Sequence, residues 1–241
     1  MTPLLAMAAT DCERSGSGLF AQPVNTASGF VFLLVGLWIV LHGLRAHGQR
    51  VELAVFGSAV ASNSVGGLLF HGLQTPGALW VHDLCILSVL VFIVVFDVAR
   101  FRGYEASWTV PVYLASLIAV GWFLAVVPAS TDVLSALLGV AVAAWELAEY
   151  RHELPVIRAE GFTSRRLARL GALAALAIGA TAFLVGRTGG WLCSPSSAFQ
   201  WHAVWHVLAA AAMGLYAYGA ISPHPGTLAP IGRARSSRRR G

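Results

Sequence analysis

The chain has 241 residues, of which 57% are hydrophobic and 11% are charged, and its formal net charge is +5. Because soluble globular domains carry about 25% charged residues, this composition argues against a water-soluble protein and predicts an integral membrane protein. The chain has no aromatic-interleaved basic patch, phosphate-binding glycine loop or zinc-finger spacing, so no nucleic-acid partner is expected.

Seven segments are long and apolar enough to span a membrane, which takes roughly 20 residues as a helix. Short breaks with turn signals, such as "GLQTPG" and "VPASTD", separate them. The sequence therefore predicts an all-α, seven-transmembrane-helix bundle over 27–220, between an outer N-terminal segment (1–26) and a basic cytoplasmic tail (221–241). In chain order, the predicted helices cover 27–46, 51–70, 77–98, 107–127, 131–150, 166–186 and 198–220.

All 16 basic residues are arginines, and their distribution predicts the orientation of the bundle. Only Arg14 and Arg187 lie on one side; the other arginines fall in or beside the first, third and fifth loops or in the tail. Since cytoplasmic loops accumulate positive charge, the N-terminus is expected outside and the C-terminus inside. The arginine- and alanine-rich composition is typical of a bacterium with high genomic GC content, so the expected location is the bacterial inner membrane.

Histidines near the predicted outer ends of three helices are the clearest functional signal. The second helix ends at His71, and the third begins with the pair His82 and Asp83. The seventh begins with His202 and His206, whose spacing of four residues puts them on one helix face. Ionisable side chains at membrane depth are costly and indicate function by default. Their shared depth predicts one site toward the outer leaflet.

Three histidines with a nearby carboxylate indicate a particular chemistry. Three neutral imidazoles with one open position are typical of a catalytic zinc site, and His71, His202 and His206 are the candidate ligands. Asp83 could then act as a general base. Two alternatives stay open: hydrogen bonding of each histidine to a neighbouring helix, and ligation of a haem by two of them.

Five motifs carry a resemblance to the alkaline ceramidases and their bacterial relatives, which belong to a superfamily of seven-helix membrane hydrolases that includes the adiponectin receptors. The motifs are "CE" (12–13), "QPVNTASGF" (22–30), "GGLLFH" (66–71), "HDLCI" (82–86) and "HAVWH" (202–206). The resemblance implies a zinc-dependent amidase that cleaves ceramide-like lipids to a fatty acid and a sphingoid base. It also implies that His71, His202 and His206 hold the zinc and that Asp83 acts on the water or the substrate amide.

The chain departs from that family beside the first histidine. The family usually has a serine four residues before it, where this chain has Gly67. The nearest upstream hydroxyl belongs to Ser64, a second candidate catalytic residue, but it lies about 10 Å from His71 along a helix axis and cannot simply substitute. The stretch from His71 to Asp83 is also one residue longer than the family leads us to expect. Both departures bear on turnover more than on metal binding.

The resemblance also suggests a calcium site in the N-terminal segment, where eukaryotic members of the family bind calcium through carboxylates. Its candidate ligands are Asp11, Glu13 and Gln22, fewer oxygen donors than the six to eight that calcium prefers. The alternative is that Glu13 and Asn25 tie the segment over the outer mouth of the bundle.

Two cysteines are expected on the outer side. Cys12 precedes the first helix and Cys193 lies in the sixth loop, so an oxidising compartment permits a disulfide between them. Such a bond would hold the N-terminal segment near the seventh helix. Cys85, within the third helix, is expected to be a packing residue.

The leading hypothesis is a zinc-dependent hydrolase of the bacterial inner membrane, acting on ceramide or another N-acyl membrane lipid. The alternative from a different class is a non-catalytic receptor or sensor in which the metal is a structural clamp, and Gly67 favours it. A haem-binding electron carrier is a third possibility. The sequence gives no indication of a protein partner.

Overall fold

The computed structural model describes residues 10–18, 20–45 and 49–222. Within these ranges the chain forms helices and no strand, which confirms the predicted all-α seven-helix bundle. The helices are α1 (Pro23–Arg45), α2 (Arg50–Gly67, continued by a π-helix over Leu68–Leu73), α3 (Ala78–Arg102), α4 (Ala106–Val126), α5 (Thr131–Glu160, preceded by a 3₁₀ turn over Pro128–Ser130), α6 (Ser164–Gly186) and α7 (Trp201–Tyr216, continued by a π-helix over Ala217–Ile221).

All seven helices are long and apolar enough to cross a bilayer, so the chain is a multi-pass membrane protein. The fifth differs most from its prediction, because α5 runs on through Pro155 to Glu160 instead of ending near residue 150. Its last turns carry Glu153, whose carboxylate pairs with Arg166 and Arg169 of α6 within the bundle. The predicted basic tail lies, from residue 223 onward, outside the described residues.

Helices α1 and α2 cross in close backbone contact. A Cβ atom at Gly36 would lie 2.6 Å from the Gly57 carbonyl oxygen, and one at Gly57 would lie 2.7 Å from the Gly36 carbonyl oxygen. Only glycine fits at either position, and small residues are the usual means by which membrane helices approach one another. This close crossing brings the N-terminal ends of α1 and the π-helical end of α2 together.

Aromatic rings fill the centre of the bundle. The Phe56 ring of α2 lies 5.1 Å from that of Phe92 in α3 and 5.7 Å from that of Tyr216 in α7. Tyr113 of α4 meets the Phe92 ring edge-on at 5.4 Å. Pairs at these distances add to the dispersion energy of burial and hold four helices to one core.

An ionic network joins the helices at the end of the bundle where α5 ends and α6 begins, here called the arginine-rich end. The Arg169 guanidinium of α6 donates to Glu146 at 2.8 Å and to Glu149 at 2.6 Å, both on α5. Glu149 also accepts from Arg100 of α3 at 2.6 Å. Asp97 of α3 accepts from the Tyr216 hydroxyl at 2.8 Å. These charges are therefore held between helices rather than facing lipid.

The N-terminal segment covers the opposite end, here called the N-terminal end. Cys12 and Cys193 form a disulfide, with Cα atoms 5.6 Å apart, which links the segment to the α6–α7 connection. The backbone N–H of Gln22 donates to the His71 carbonyl oxygen at 2.9 Å. Glu13 caps α1, because its two carboxylate oxygens accept from the backbone N–H groups of Val24 (2.9 Å) and Asn25 (2.8 Å).

Candidate metal site

Three histidines from two distant helices meet beneath the N-terminal segment. The potential ligand atoms of His71, His202 and His206 all lie within 4.8 Å of one another, and all three residues are buried. Among the described residues, this is the one such cluster of three or more histidine, cysteine or acidic side chains. The fold therefore brings together the three residues that the sequence offered as zinc ligands.

Local helix geometry positions each ring. His202 and His206 occupy the first two turns of α7, and their ring centroids are 4.6 Å apart. His71 lies in the π-helical end of α2, and its ring centroid is 5.0 Å from that of His202. π-Helical turns are rare, and they are frequently found at functional sites.

A glutamine fixes the tautomer of His71. The Gln22 side-chain N–H₂ donates to the Glu13 carbonyl oxygen at 2.7 Å, which directs the amide oxygen toward His71 Nδ1 at 2.8 Å. An amide oxygen only accepts, so Nδ1 carries the proton. The lone pair of His71 is therefore on Nε2, which faces the cluster with no hydrogen-bond partner.

A serine does the same for His206. The Ser28 hydroxyl of α1 gives its one proton to the Asn25 carbonyl oxygen at 3.0 Å, and its oxygen lies 2.8 Å from His206 Nδ1. With its proton used, the hydroxyl accepts from Nδ1–H and leaves the lone pair on Nε2. Bonds of this kind set the tautomer and the ring orientation of histidines that ligate metals.

Asp11 lies on the Nδ1 side of the His202 and His71 rings. Its carboxylate oxygens are 3.6 Å from His202 Nδ1 and 3.8 Å from His71 Nδ1. Burial raises the pKa of the Asp11 carboxyl from its usual 3.8 to about 6, although nearby His82 opposes the rise. A carboxylate on the Nδ1 side of a histidine is a common support for a metal ligand, so Asp11 faces the histidines instead of forming an acidic cluster.

Unpaired nitrogen atoms are concentrated at this point. His71 Nε2 and both ring nitrogens of His202 are buried and lack a hydrogen-bond partner within the described chain. Buried polar atoms are rarely left in this state, because each one costs about 1–3 kcal/mol of desolvation. Neutral imidazoles with converging free lone pairs are the donors that zinc uses, so the residues present fit this metal.

The sequence-predicted base is not in direct contact with the cluster. Asp83 Oδ1 accepts from His82 Nδ1 at 3.1 Å, and Asp83 Oδ2 accepts from the Thr131 hydroxyl at 2.6 Å. It is the His82 ring that lies beside the cluster, with its centroid 5.5 Å from that of His71. Any effect of Asp83 on the cluster therefore passes through His82.

The packing around Ser64 and Gly67 shows what each position can contact. Ser64 is buried in α2, and the hydrogen bonds of the histidine cluster go to Gln22 and Ser28 instead. At Gly67 a Cβ atom would meet only His71 Cδ2, at 4.0 Å. A side chain at Gly67 would thus point toward the cluster and has room there.

The candidate calcium ligands are used in other contacts. Both carboxylate oxygens of Glu13 cap α1, and the Gln22 amide joins Glu13 to His71. Asp11 faces the histidines. These contacts favour the alternative in which the segment is tied over the bundle, and calcium binding stays a prediction.

The sequence does not indicate these roles for three of the contributors. Ser28 lies within the motif "QPVNTASGF", Gln22 is a candidate calcium ligand, and no motif includes Thr131. A hydroxyl or amide side chain within or beside an apolar span is the sequence feature that indicates such a role. The hydrogen-bond partner of that side chain depends on helix packing, which cannot be predicted from residue spacing.

Comparison with known protein families and with characterised proteins gives no match for this chain.

Proposed function

We propose that this protein is a zinc-dependent membrane hydrolase that cleaves the amide bond of N-acyl lipids such as ceramides, releasing a fatty acid and an amine. The observation that carries the proposal is the buried cluster of three histidines, in which His71 Nε2 and both ring nitrogens of His202 have no hydrogen-bond partner in the described chain. The motif resemblance to the alkaline ceramidases supports the choice of amide substrates.

In this proposal, one set of residues holds the metal and a second set orients those ligands. His71, His202 and His206 would hold zinc, which supplies an activated water at neutral pH and polarises a carbonyl group. Gln22 and Ser28 keep the protons of two rings on Nδ1. The carboxylate of Asp11 lies on the Nδ1 side of His202.

His82 and Asp83 would together carry out the proton transfer of the reaction. Asp83 accepts a hydrogen bond from His82 Nδ1, which leaves Nε2 as the other nitrogen of a ring whose centroid is 5.5 Å from that of His71. Thr131 fixes Asp83 from α5. In this arrangement Asp83 is a positioning residue, and His82 is the group that can reach a reacting atom.

The arginine distribution supports a site in the outer leaflet of a bacterial inner membrane, because the histidines lie at the end opposite to the arginine-rich end. A lipid could then reach the site without crossing the bilayer.

One observation favours a second candidate function, a receptor or sensor in which the metal only clamps α2 to α7. His71 has 0% exposure, and His202 and His206 have 4% each, so the cluster is closed to solvent. A structural metal needs no access, whereas a hydrolase needs an opening to the substrate.

Elemental analysis of the purified protein tests the metal directly. We expect about one zinc per wild-type chain and a loss of nearly all of it in a His202→Ala/His206→Ala variant, because a single histidine does not retain zinc. The matched control is His42→Ala/His152→Ala, which removes two histidines outside the cluster and should keep the zinc. Zinc that survives removal of His202 and His206 would refute the proposed site.

Release of fatty acid from a panel of N-acyl lipids then separates the two functions. The hydrolase predicts turnover that falls by about 100-fold in Asp83→Asn, in the range of general acid–base catalysis, with zinc content unchanged. Full zinc occupancy without turnover on any lipid of the panel would favour the clamp.

A further inference from the structure

A cavity of about 230 Å³ lies between α3 and α4 at the N-terminal end of the bundle. Its walls are almost entirely apolar, and one side chain in it is charged. The lining residues are Gly77, Leu79, Trp80, Asp83, Leu124, Ala125 and Pro128. The Trp80 indole N–H donates to the Gly121 carbonyl oxygen at 2.9 Å, which ties the two helices together beside the cavity.

Within the described parts of the chain, no arginine pairs with the carboxylate in this cavity. Asp83 is 7% exposed, and its partners are the hydroxyl of Thr131 and the ring of His82, which is uncharged unless it is protonated. Glu146, another buried carboxylate, differs because the Arg169 guanidinium pairs with it at 2.8 Å. A buried charge is costly unless an opposite charge accompanies it, so Asp83 favours a cationic occupant.

The rest of the lining restricts that occupant. Leu79, Trp80 and Leu124 offer dispersion contacts and no hydrogen bonds, so a hydrated inorganic cation is a poor fit. A primary ammonium group on an alkyl chain satisfies both features, because the ammonium meets Asp83 and the chain covers the apolar wall.

We propose that the cavity between α3 and α4 binds the ammonium group of a long-chain primary amine through Asp83. Resting on the proposed function, the inference is that the amine product stays there and inhibits further turnover. Hydrolysis of R–CO–NH–R′ consumes one water, breaks the C–N bond and yields R–COO⁻ and R′–NH₃⁺ at neutral pH, so atoms and charge balance. The product amine is thus the species that gains the charge complementary to Asp83.

Binding of radiolabelled dodecylamine to the full-length protein in lipid nanodiscs tests this site, with empty nanodiscs subtracted. Dodecan-1-ol is the uncharged comparison. We expect the amine to bind at least about tenfold more tightly than the alcohol, and Asp83→Asn to remove that preference. The matched control is Asp132→Asn, which removes an exposed carboxylate next to Thr131 and should leave amine binding unchanged.

A second variant tests the same cavity without changing Asp83, so the test does not depend on the folding of Asp83→Asn. Ala125→Trp fills the cavity from an exposed position of α4 and should abolish amine binding while the zinc content stays at the wild-type level. Equal binding of amine and alcohol, or amine binding that survives both Asp83→Asn and Ala125→Trp, would overturn the proposal.

Different results would refute the amine site and the hydrolase function. Amine binding that persists after zinc removal, in a protein that hydrolyses no lipid, would support the amine site and refute the hydrolase. Turnover that needs zinc but is not inhibited by dodecylamine would refute retention of the product.

Discussion

Ser28 determines which nitrogen of His206 is free, although it is not itself a candidate ligand. Its hydroxyl donates a hydrogen bond to the Asn25 carbonyl oxygen, so its oxygen is left to accept one from His206 Nδ1–H. Gln22 has the same effect on His71 through its amide oxygen. At this scale the function depends on the direction of single hydrogen bonds, because an imidazole with the wrong nitrogen protonated cannot donate its lone pair to the cluster.

We predict that Ser28→Ala lowers the affinity for zinc by about 10- to 100-fold, the usual effect of losing a partner behind a ligand. The fold should persist, since the change removes one hydroxyl. Competition with a fluorescent zinc chelator measures the affinity. Ser58→Ala is the control, because that hydroxyl bonds only within α2, to the Ala54 carbonyl oxygen. Equal affinities in the two variants would contradict the assigned role.

At the scale of the helices, charge holds α6 to α5. Arg169 contacts Glu146, Glu149 and Glu153 on three successive turns of α5, and its side chain is only 11% exposed. Removing one partner of a buried pair leaves the other charge uncompensated, which costs more than the pair contributes. The network lies at the arginine-rich end, far along the helices from the histidines.

We therefore predict that Arg169→Met lowers the free energy of unfolding by about 3 kcal/mol, the lower end of the range for a broken buried pair. Unfolding of the detergent-solubilised protein, followed by circular dichroism, measures the loss. Arg158→Met, at an exposed position of α5, should change it by less than about 0.5 kcal/mol. Zinc content should stay unchanged in both variants, and a loss of zinc in Arg169→Met would show that the two ends are coupled.

For the whole molecule, the arginine distribution predicts how the bundle lies in the membrane. Of the arginines in the described chain, Arg14 and Arg187 lie at the N-terminal end, and the others lie at the arginine-rich end. The disulfide between Cys12 and Cys193 also lies at the N-terminal end, which suits an oxidising compartment. Two independent features thus favour the same orientation.

Reporter fusions in a bacterial host test this orientation. Green fluorescent protein at the C-terminus should fluoresce, and alkaline phosphatase there should be inactive, because the C-terminus is predicted to be cytoplasmic. Alkaline phosphatase fused after Gly190, in the α6–α7 connection, should be active. The opposite pattern would place the histidines on the cytoplasmic side and exclude a site in the outer leaflet.

The amino-acid sequence alone is enough to predict a membrane protein, its seven helices and its candidate metal-binding histidines. Length and hydropathy suffice for the helices, because a bilayer imposes a minimum apolar span on each one. The spacing of His202 and His206 suffices for a shared face, because it equals about one helical turn. These properties depend on neighbours along the chain, and a sequence records them directly.

The partners of those histidines depend on how the helices pack. Gln22, Ser28 and Asp11 reach the rings through the crossing of α1 with α2 and the path of the N-terminal segment. His82, rather than Asp83, lies beside the cluster. The reason is physical: adjacent residues of a helix point about 100° apart, so the rotation of α3 against its neighbours selects which one faces inward. That rotation is set by packing across the bundle, and no local pattern encodes it.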